Sequence, residues 1–152
     1  MRPVAFLAAF FFAIAQGHAQ SPVTTIVLER TPCFGTCPVY TLTLHSSGQV
    51  EFVGTNHCKA KSPQTGKISA PNFARLIKKI DEIDFFNLRK RYDGKNPHGS
   101  GSTVTDLPTR KTTVTRGDET KTVDNYFQGP PGLTELELLI DELAKSEKWI
   151  RG

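Results

Sequence analysis

The sequence predicts an α+β fold, with one antiparallel sheet in the order βββ-α-ββ-α and two amphipathic helices packed on one face of it. Three observations predict this fold. Segments rich in β-branched residues are joined by short glycine-containing turns, which is typical of antiparallel hairpins. Two other segments carry apolar residues at three- and four-residue steps, which is typical of helices. These helical segments follow hairpins, and that order favours helices segregated from the sheet.

The first three strands are predicted near the start of the domain. Residues 24–30 are rich in β-branched side chains, and residues 38–44 alternate between large apolar and mostly threonine side chains. Gly48, in a left-handed conformation, can close a bulged hairpin turn between this second strand and the third. That register sets Leu42 beside Phe52, so that apolar side chains meet across the hairpin.

A first helix is predicted after Ser69, which can cap it, with Pro71 in its first turn. One apolar stripe follows, formed by Phe73, Leu76, Ile77, Ile80 and Ile83. Residues 56–67, which precede the helix, are polar and are interpreted as an exposed connection or a ragged strand.

The second half of the domain begins with a predicted loop. Residues 92–103 contain three glycines and two serines, and residues 109–126 are then predicted to form a hairpin that turns at residues 117–118. After a Pro-Pro-Gly break, a second helix has an apolar stripe formed by Leu133, Leu136, Leu139, Ile140 and Leu143. Thr134 and Glu137 have the spacing of a capping box at its start.

The first 19 residues have the form of a secretory signal peptide. A positive charge at Arg2 precedes an apolar run of about a dozen residues, and Gly17 and Ala19 supply the small residues of a cleavage site. The run is shorter than the roughly 20 residues that span a membrane. We therefore expect residues 1–19 to be removed and residues 20–152 to form a single α+β domain. The domain is expected in the periplasm or outside the cell, with no transmembrane segment after cleavage.

The charge of the chain limits the kinds of partner that the domain can bind. The net charge is +4, and the basic residues are scattered, with one short run at residues 89–91. Proteins that bind nucleic acids need clustered phosphate contacts, so we expect no nucleic-acid partner. We expect a monomer whose partner is another envelope protein or a small ligand.

Cys33 and Cys37 are three residues apart between two prolines, and they allow several interpretations. Export favours a disulfide between them, which would staple the first two strands across a turn at residues 34–36. A loop this small contributes about 2 kcal/mol in the chain-entropy model. Cys58 makes the count odd, so a bridge from Cys58 to Cys33 or Cys37 stays open.

Two chemical roles for the cysteines are alternatives to a staple. The three cysteines and His57 are zinc-ligand types, although adjacent side chains on a strand point apart. A dithiol redox centre usually uses C-x-x-C at a helix N-terminus, whereas Cys37 precedes a proline and a strand. We predict the Cys33–Cys37 disulfide, and we expect no metal and no cofactor.

Four further residues are candidates for a binding surface: Tyr40, Tyr92, Asp93 and Asp106. Asp106 follows the predicted loop and could be a binding or catalytic carboxylate, although aspartate is also a common turn residue. Tyr92 and Asp93 stand on the near side of the same loop. Tyr40 is the aromatic residue of the strand that follows Cys37. It is a candidate for the binding surface, and the alternative interpretation is that it belongs to the hydrophobic core.

The stretch CFGTCPVYTLTLHSSGQVEFVG resembles a bacterial family of exported domains of unknown function, domain of unknown function family 6438. The resemblance continues through the first helix, the TVTDLPT segment, the KTVDNY strand and the last helix. It implies that Cys33, Gly35, Cys37, Pro38, Tyr40 and Asp106 occupy signature positions. Cys58 is outside that signature. The resemblance supports the order of elements and export, and it implies no activity.

The residues contain no recognisable catalytic set, and they favour a small disulfide-stapled domain without catalytic activity. The predicted function is a binding or accessory module of the cell envelope. The alternative is an envelope enzyme, thiol-redox protein or metal-binding protein that uses Cys33, Cys37 or Asp106.

Overall fold

A computed structural model of the chain describes residues 20–95, 101 and 104–151. Within these residues the chain forms seven strands and three α-helices. The strands are β1 (Val23–Arg30), β2 (Val39–His45), β3 (Gln49–Asn56), β4 (Gln64–Lys67), β5 (Arg91–Asp93), β6 (Arg110–Arg116) and β7 (Glu119–Phe127); the helices are α1 (Ala70–Glu82), α2 (Pro131–Ala144) and α3 (Glu147–Ile150). The predicted signal peptide, residues 1–19, lies outside the described residues.

All seven strands belong to one sheet, in the order β4-β3-β2-β1-β6-β7-β5. The α+β class is confirmed, but the prediction of a purely antiparallel sheet is wrong, because β5 pairs in parallel with β7. The predicted order also lacks two short edge strands. β4 lies in residues 56–67, for which a ragged strand is one of the two interpretations, and β5 falls at the start of the predicted loop, where three residues show too little periodicity to be recognised.

The two predicted hairpins are present. Leu42 pairs with Phe52 as predicted, and Gly48 adopts the positive φ, +90°, that the bulged turn requires. β6 and β7 are joined at residues 117–118. The central strand β1 pairs with both hairpins, through β2 and β6, and so joins them into one sheet.

One face of the sheet is covered by the helices, and the other is open. Inward side chains such as Ile26, Leu42 and Phe52 are fully buried, whereas outward residues such as Thr41 and Thr43 remain partly exposed. From the helix side, α1 buries Phe73, Leu76 and Ile80, and Ser69 accepts a hydrogen bond from the backbone of Asn72 at its start. Trp149 of α3 packs on Phe52, with ring centroids 5.2 Å apart.

Helix α2 begins earlier than the sequence predicts. Its N-cap is Pro130, which provides no side-chain cap, and Thr134 and Glu137 lie inside the helix. The predicted capping box is therefore wrong. Pro131 sets the start because its fixed φ suits the first helical turn, and Glu137 turns its side chain toward the sheet.

In the described part of the chain, every helix is too short or too polar to span a membrane.

Candidate functional site

Cys33 and Cys37 lie at disulfide distance, with Cα atoms 5.8 Å apart, in the turn that joins β1 to β2. We call residues 33–37 the cystine turn. The last paired residues before it are Arg30 and Tyr40, so the two cysteines face each other in the continued register. Phe34 is 90% exposed at the tip, beside Gly35, whose φ of +140° a side chain would not easily adopt. The turn thus holds an aromatic ring in solvent.

Asp106 lies against the cystine turn through its backbone. The backbone N–H of Phe34 donates to the carbonyl of Asp106 at 3.2 Å, and the backbones of Thr31 and Thr109 bond at 3.0 Å next to it. Asp106 itself has a positive φ, +70°, and its carboxylate accepts a hydrogen bond from Thr105. Asp106 therefore supports the turn with its backbone and leaves its carboxylate exposed.

Four polar side chains form one row across the sheet at the end that carries the cystine turn. Tyr40 pairs with Arg30, Arg30 with Arg110, and Arg110 with Asn125, so the row crosses β2, β1, β6 and β7. Residues directly opposite each other in a sheet point to the same face. These four residues, which we call the polar row, therefore share the face that the helices cover.

Asp141 of α2 meets the row at Arg30 and Tyr40. Its carboxylate accepts from Arg30 Nη2 at 2.5 Å and from the Tyr40 hydroxyl at 2.7 Å, and Arg30 Nε donates to the Tyr40 oxygen at 2.7 Å. Ser146 donates a further bond to Asp141 at 2.7 Å. Burial and the Asp141 carboxylate raise the pKa of Tyr40. Although burial acts in the opposite direction, the pairing with Asp141 raises the pKa of Arg30.

Glu137, one helical turn earlier, meets the other half of the row. Its side chain is fully buried, where it accepts from Asn125 Nδ2 at 2.9 and 3.1 Å and pairs with Arg110 Nε at 3.1 Å. Burial raises the pKa of Glu137 to about 7, against the opposing effects of Arg110 and Asn125. α2 is thus held on the sheet by two acidic residues, each paired with an arginine of a neighbouring strand.

An open cavity of about 370 Å³ lies between the base of the cystine turn and helices α2 and α3. Arg30, Tyr40 and Asp141 contribute polar atoms to its lining, and Pro38, Leu138 and Ile150 contribute apolar surface. Leu138 is 55% exposed, unusual for a leucine on a helix that packs on a sheet. The cavity is therefore a concave, partly apolar surface directly beside the exposed turn.

The candidate residues of the predicted binding surface do not form one site. Tyr40 lies beside the cavity but is buried, and Asp106 lies at the cystine turn. Tyr92 and Asp93 are on β5, and β1, β6 and β7 separate them from Tyr40. Four strand spacings correspond to about 19 Å. Tyr92 packs under the Arg89 guanidinium, and Asp93 accepts a bond from the backbone of Lys95.

Cys58 is buried and unbonded to the other cysteines, which excludes both alternative bridges in this structure. Its thiol contacts the carbonyl of Val39 at 3.5 Å, and burial raises its pKa. Gly54 leaves the space that Cys58 occupies, since a β-carbon at Gly54 would approach the Cys58 β-carbon to 2.9 Å. A thiol with a raised pKa is a weak nucleophile and a weak metal ligand. Cys58 thus fills space in the core.

Within the part of the chain that the structure describes, no three His, Cys, Asp or Glu side chains are grouped closely enough to hold a metal ion. Among the groups that line the cavity, Arg30, Tyr40, Asp141 and Ser146 are bonded to one another, whereas Glu142 and Glu147 are exposed carboxylates. The acid with a pKa near neutrality, Glu137, is fully buried. General acid–base catalysis needs a group within hydrogen-bond reach of the substrate. The Glu137 carboxyl, which is fully buried and is not part of the lining, therefore lies out of reach of a molecule in this cavity.

Sequence reasoning missed the residues that organise this site: Arg30, Arg110, Asn125, Glu137 and Asp141. The sequence pattern places Arg30 at the end of a strand and gives Glu137 the spacing of a capping box. One signal was available: Glu137 and Asp141 are four residues apart on a helix, so both can face one row of basic residues.

Comparison with known families gives one match. Residues 24–144 match the family model described as a domain of unknown function (DUF6438). The matched region extends from β1 to the end of α2, and so contains the cystine turn, the polar row and both acidic residues of α2. No curated protein matches the chain.

Proposed function

Since the chain belongs to the DUF6438 family, whose description assigns no activity, we propose a function from the site itself: an exported, disulfide-stapled binding or accessory module of the cell envelope. In this proposal the protein is a monomer without catalytic activity. It recognises an envelope protein or a small ligand through the cystine turn and the cavity beside it.

Export is supported by two features of the chain. Residues 1–19 carry the charge, apolar run and small residues of a signal peptide. Cys33 and Cys37 lie at disulfide distance, and disulfides persist mainly in oxidising compartments outside the cytoplasm. The mature chain then begins at Gln20, three residues before β1.

The observation that carries the binding proposal is the position of Phe34. A phenylalanine that is 90% exposed leaves most of its apolar surface in water, and a bridge between Cys33 and Cys37 would restrict the backbone of the turn that carries it. An aromatic side chain held rigidly on a surface is a frequent anchor in protein interfaces, because little conformational entropy is lost on binding. Leu107, which follows Asp106 in the chain, is also exposed, and the backbone of Asp106 bonds to that of Phe34.

Within the described residues, the side chains whose pKa values are shifted are buried or bonded inside the protein, and this supports a role without catalysis. The Tyr40 hydroxyl donates a hydrogen bond to the Asp141 carboxylate, and the Glu137 side chain is fully buried. Burial also raises the pKa of Cys58. Asp106 offers an exposed carboxylate, yet in the described residues only the Thr105 hydroxyl bonds to it. Turnover of a defined substrate by the purified protein would overturn the proposal in favour of an envelope enzyme.

Site-specific photocrosslinking tests the binding proposal. We expect that a benzophenone amino acid in place of Phe34 forms a discrete adduct in the exporting cell, because the ring there would enter the partner. The adduct is detected as a mass shift on a denaturing gel, and it should diminish in a variant that also carries Cys33→Ala and Cys37→Ala.

The matched control places the same amino acid at Thr122, which is exposed on the open face of β7. This position should give no discrete adduct. Equal adducts at both positions, or none at position 34, would contradict the proposal.

A further inference from the structure

The outer edge of β4 is a second surface with recognition features, and it lies at the far side of the sheet from β5. β4 pairs with β3 through Gln49–Lys67, Val50–Gly66, Glu51–Thr65 and Phe52–Gln64. It is the last strand of the sheet on this side. Its inner face is occupied, since a β-carbon at Gly66 would meet the Trp149 ring at 2.9 Å. The edge itself is left for backbone contacts.

The register decides which backbone groups of β4 point outward. The N–H of Ile68 donates to the carbonyl of Gly48 at 2.9 Å, so this pair is a hydrogen-bonded one. Hydrogen-bonded and non-hydrogen-bonded pairs alternate along an antiparallel ladder. Thr65 and Lys67 therefore direct their N–H and C=O groups away from β3. In the described residues no contact outside the β3 ladder uses these groups.

A groove of about 530 Å³ lies at this end of β4, where the strand meets the turn between β2 and β3. It is lined by backbone and side chains of Gly48, Gln49, Thr65, Lys67 and Ile68. The outward backbone groups of Thr65 and Lys67 thus adjoin a concave surface. An extended segment that bonded to this edge would have space for its side chains.

The charge of this region is mainly positive. Its acidic residue is Glu51 on β3, which lies opposite Thr65, whereas three lysines lie on β4 or next to it. Lys59, Lys61 and Lys67 belong to β4 or to the connection that leads into it, and all three are exposed. The region therefore favours a negatively charged partner. A second copy of the chain is disfavoured, because edge-to-edge pairing would bring the same lysines together.

We propose that the β4 edge binds an extended acidic segment of another protein by adding it to the sheet as a further strand. The backbone of Thr65 and Lys67 supplies the hydrogen bonds, and the lysines supply selectivity for acidic side chains. This site is separate from the cystine turn and does not depend on the function proposed for it.

Titration with synthetic peptides, followed by backbone amide NMR of the purified protein, tests the proposal. The probes are two capped eight-residue peptides, one alternating valine with glutamate and one alternating valine with lysine. We expect the acidic peptide to shift the amide signals of Thr65 and Lys67 and to bind about tenfold or more tightly than the basic one. Its affinity should fall in high salt, because exposed charges are screened there.

Two variants separate the backbone and charge contributions. Thr65→Pro removes an outward N–H that does not bond to β3. We expect this variant to bind the acidic peptide much more weakly, whereas Thr65→Ala should keep the affinity of the parent protein. Lys67→Glu should reduce or reverse the preference for the acidic peptide over the basic one, and we expect the fold to stay unchanged. Preserved Trp149 fluorescence reports that β4 still packs in both variants.

Shifts confined to other parts of the protein, or equal affinity for both peptides, would overturn the proposal. The same holds if Thr65→Pro, still folded, binds the acidic peptide as the parent does. Concentration-dependent dimerisation through β4 in the absence of peptide would also overturn it, in favour of a second copy as the partner. None of these outcomes affects the crosslinking result expected at Phe34.

Discussion

Replacing Glu137 by alanine is expected to lower the free energy of unfolding by about 3 kcal/mol. The change leaves the buried Asn125 amide with only the Thr134 hydroxyl, at 3.3 Å, as an acceptor, and it removes the partner of the Arg110 guanidinium. It also creates a cavity under α2, because Glu137 is fully buried. Urea unfolding followed by circular dichroism measures the loss. A change below about 1 kcal/mol would contradict a stabilising role for the Glu137 cluster.

Glu137→Gln is the matched control, because glutamine keeps the shape and still offers an acceptor to Asn125. It also isolates the effect of pH. The folded pKa of Glu137, about 7, lies above its ordinary value of 4.5, so the folded state binds more protons between these two pH values. This group therefore favours folding fully below about pH 4.5 and loses that contribution as the pH rises to 7, by roughly 3 kcal/mol.

The expected result is a wild-type stability that falls relative to Glu137→Gln between pH 5 and pH 7. The difference between the two proteins, measured by urea unfolding at several pH values, removes the effects of all other titrating groups. A difference that stays constant with pH would show that Glu137 keeps an ordinary pKa in the folded protein.

Replacing Asp141 by alanine is expected to cost about 2–3 kcal/mol, somewhat less than full burial would give because Arg30 and Asp141 are partly exposed. Arg30, Tyr40 and Ser146 all lose their shared acceptor. A second readout is specific to this contact. Asp141 contributes to the raised pKa of Tyr40, so ultraviolet titration should show one tyrosine ionising at lower pH in the variant.

Asp141→Asn keeps the size of the side chain and removes its charge. It should lower the Tyr40 pKa as the alanine variant does, with a smaller loss of stability. An unchanged tyrosine titration in both variants would show that Asp141 does not raise the pKa of Tyr40. The contact between these two side chains beside the cavity would then be contradicted.

Local sequence patterns predicted the hairpins and the first helix, because each depends on residues close together in the chain. The Leu42–Phe52 register follows from alternation and one glycine turn, and the start of α1 follows from Ser69. Strand β5 could not be predicted in this way. Its three residues pair in parallel with β7, more than 30 residues away, and no turn signal links the two strands.

The site was harder to predict than the fold, because its residues come from distant parts of the chain. Arg30 and Asp141 are 111 residues apart, and they meet only when α2 lies across the sheet. Glu137 had the spacing of a capping residue, yet Pro131 moved the helix start and left Glu137 in the interior. The approach of Cys33 and Cys37 to disulfide distance could be predicted, because the two residues are close in sequence and flank a turn.

The bridge between Cys33 and Cys37 is expected to brace a recognition surface and to take no part in redox chemistry. This expectation is tested most directly by equilibrating the native protein in glutathione buffers near −200 mV, then denaturing it, alkylating free thiols and measuring the intact mass. We predict one alkylated thiol, that of Cys58. Three alkylated thiols under these conditions would identify a readily reduced bridge and contradict the account.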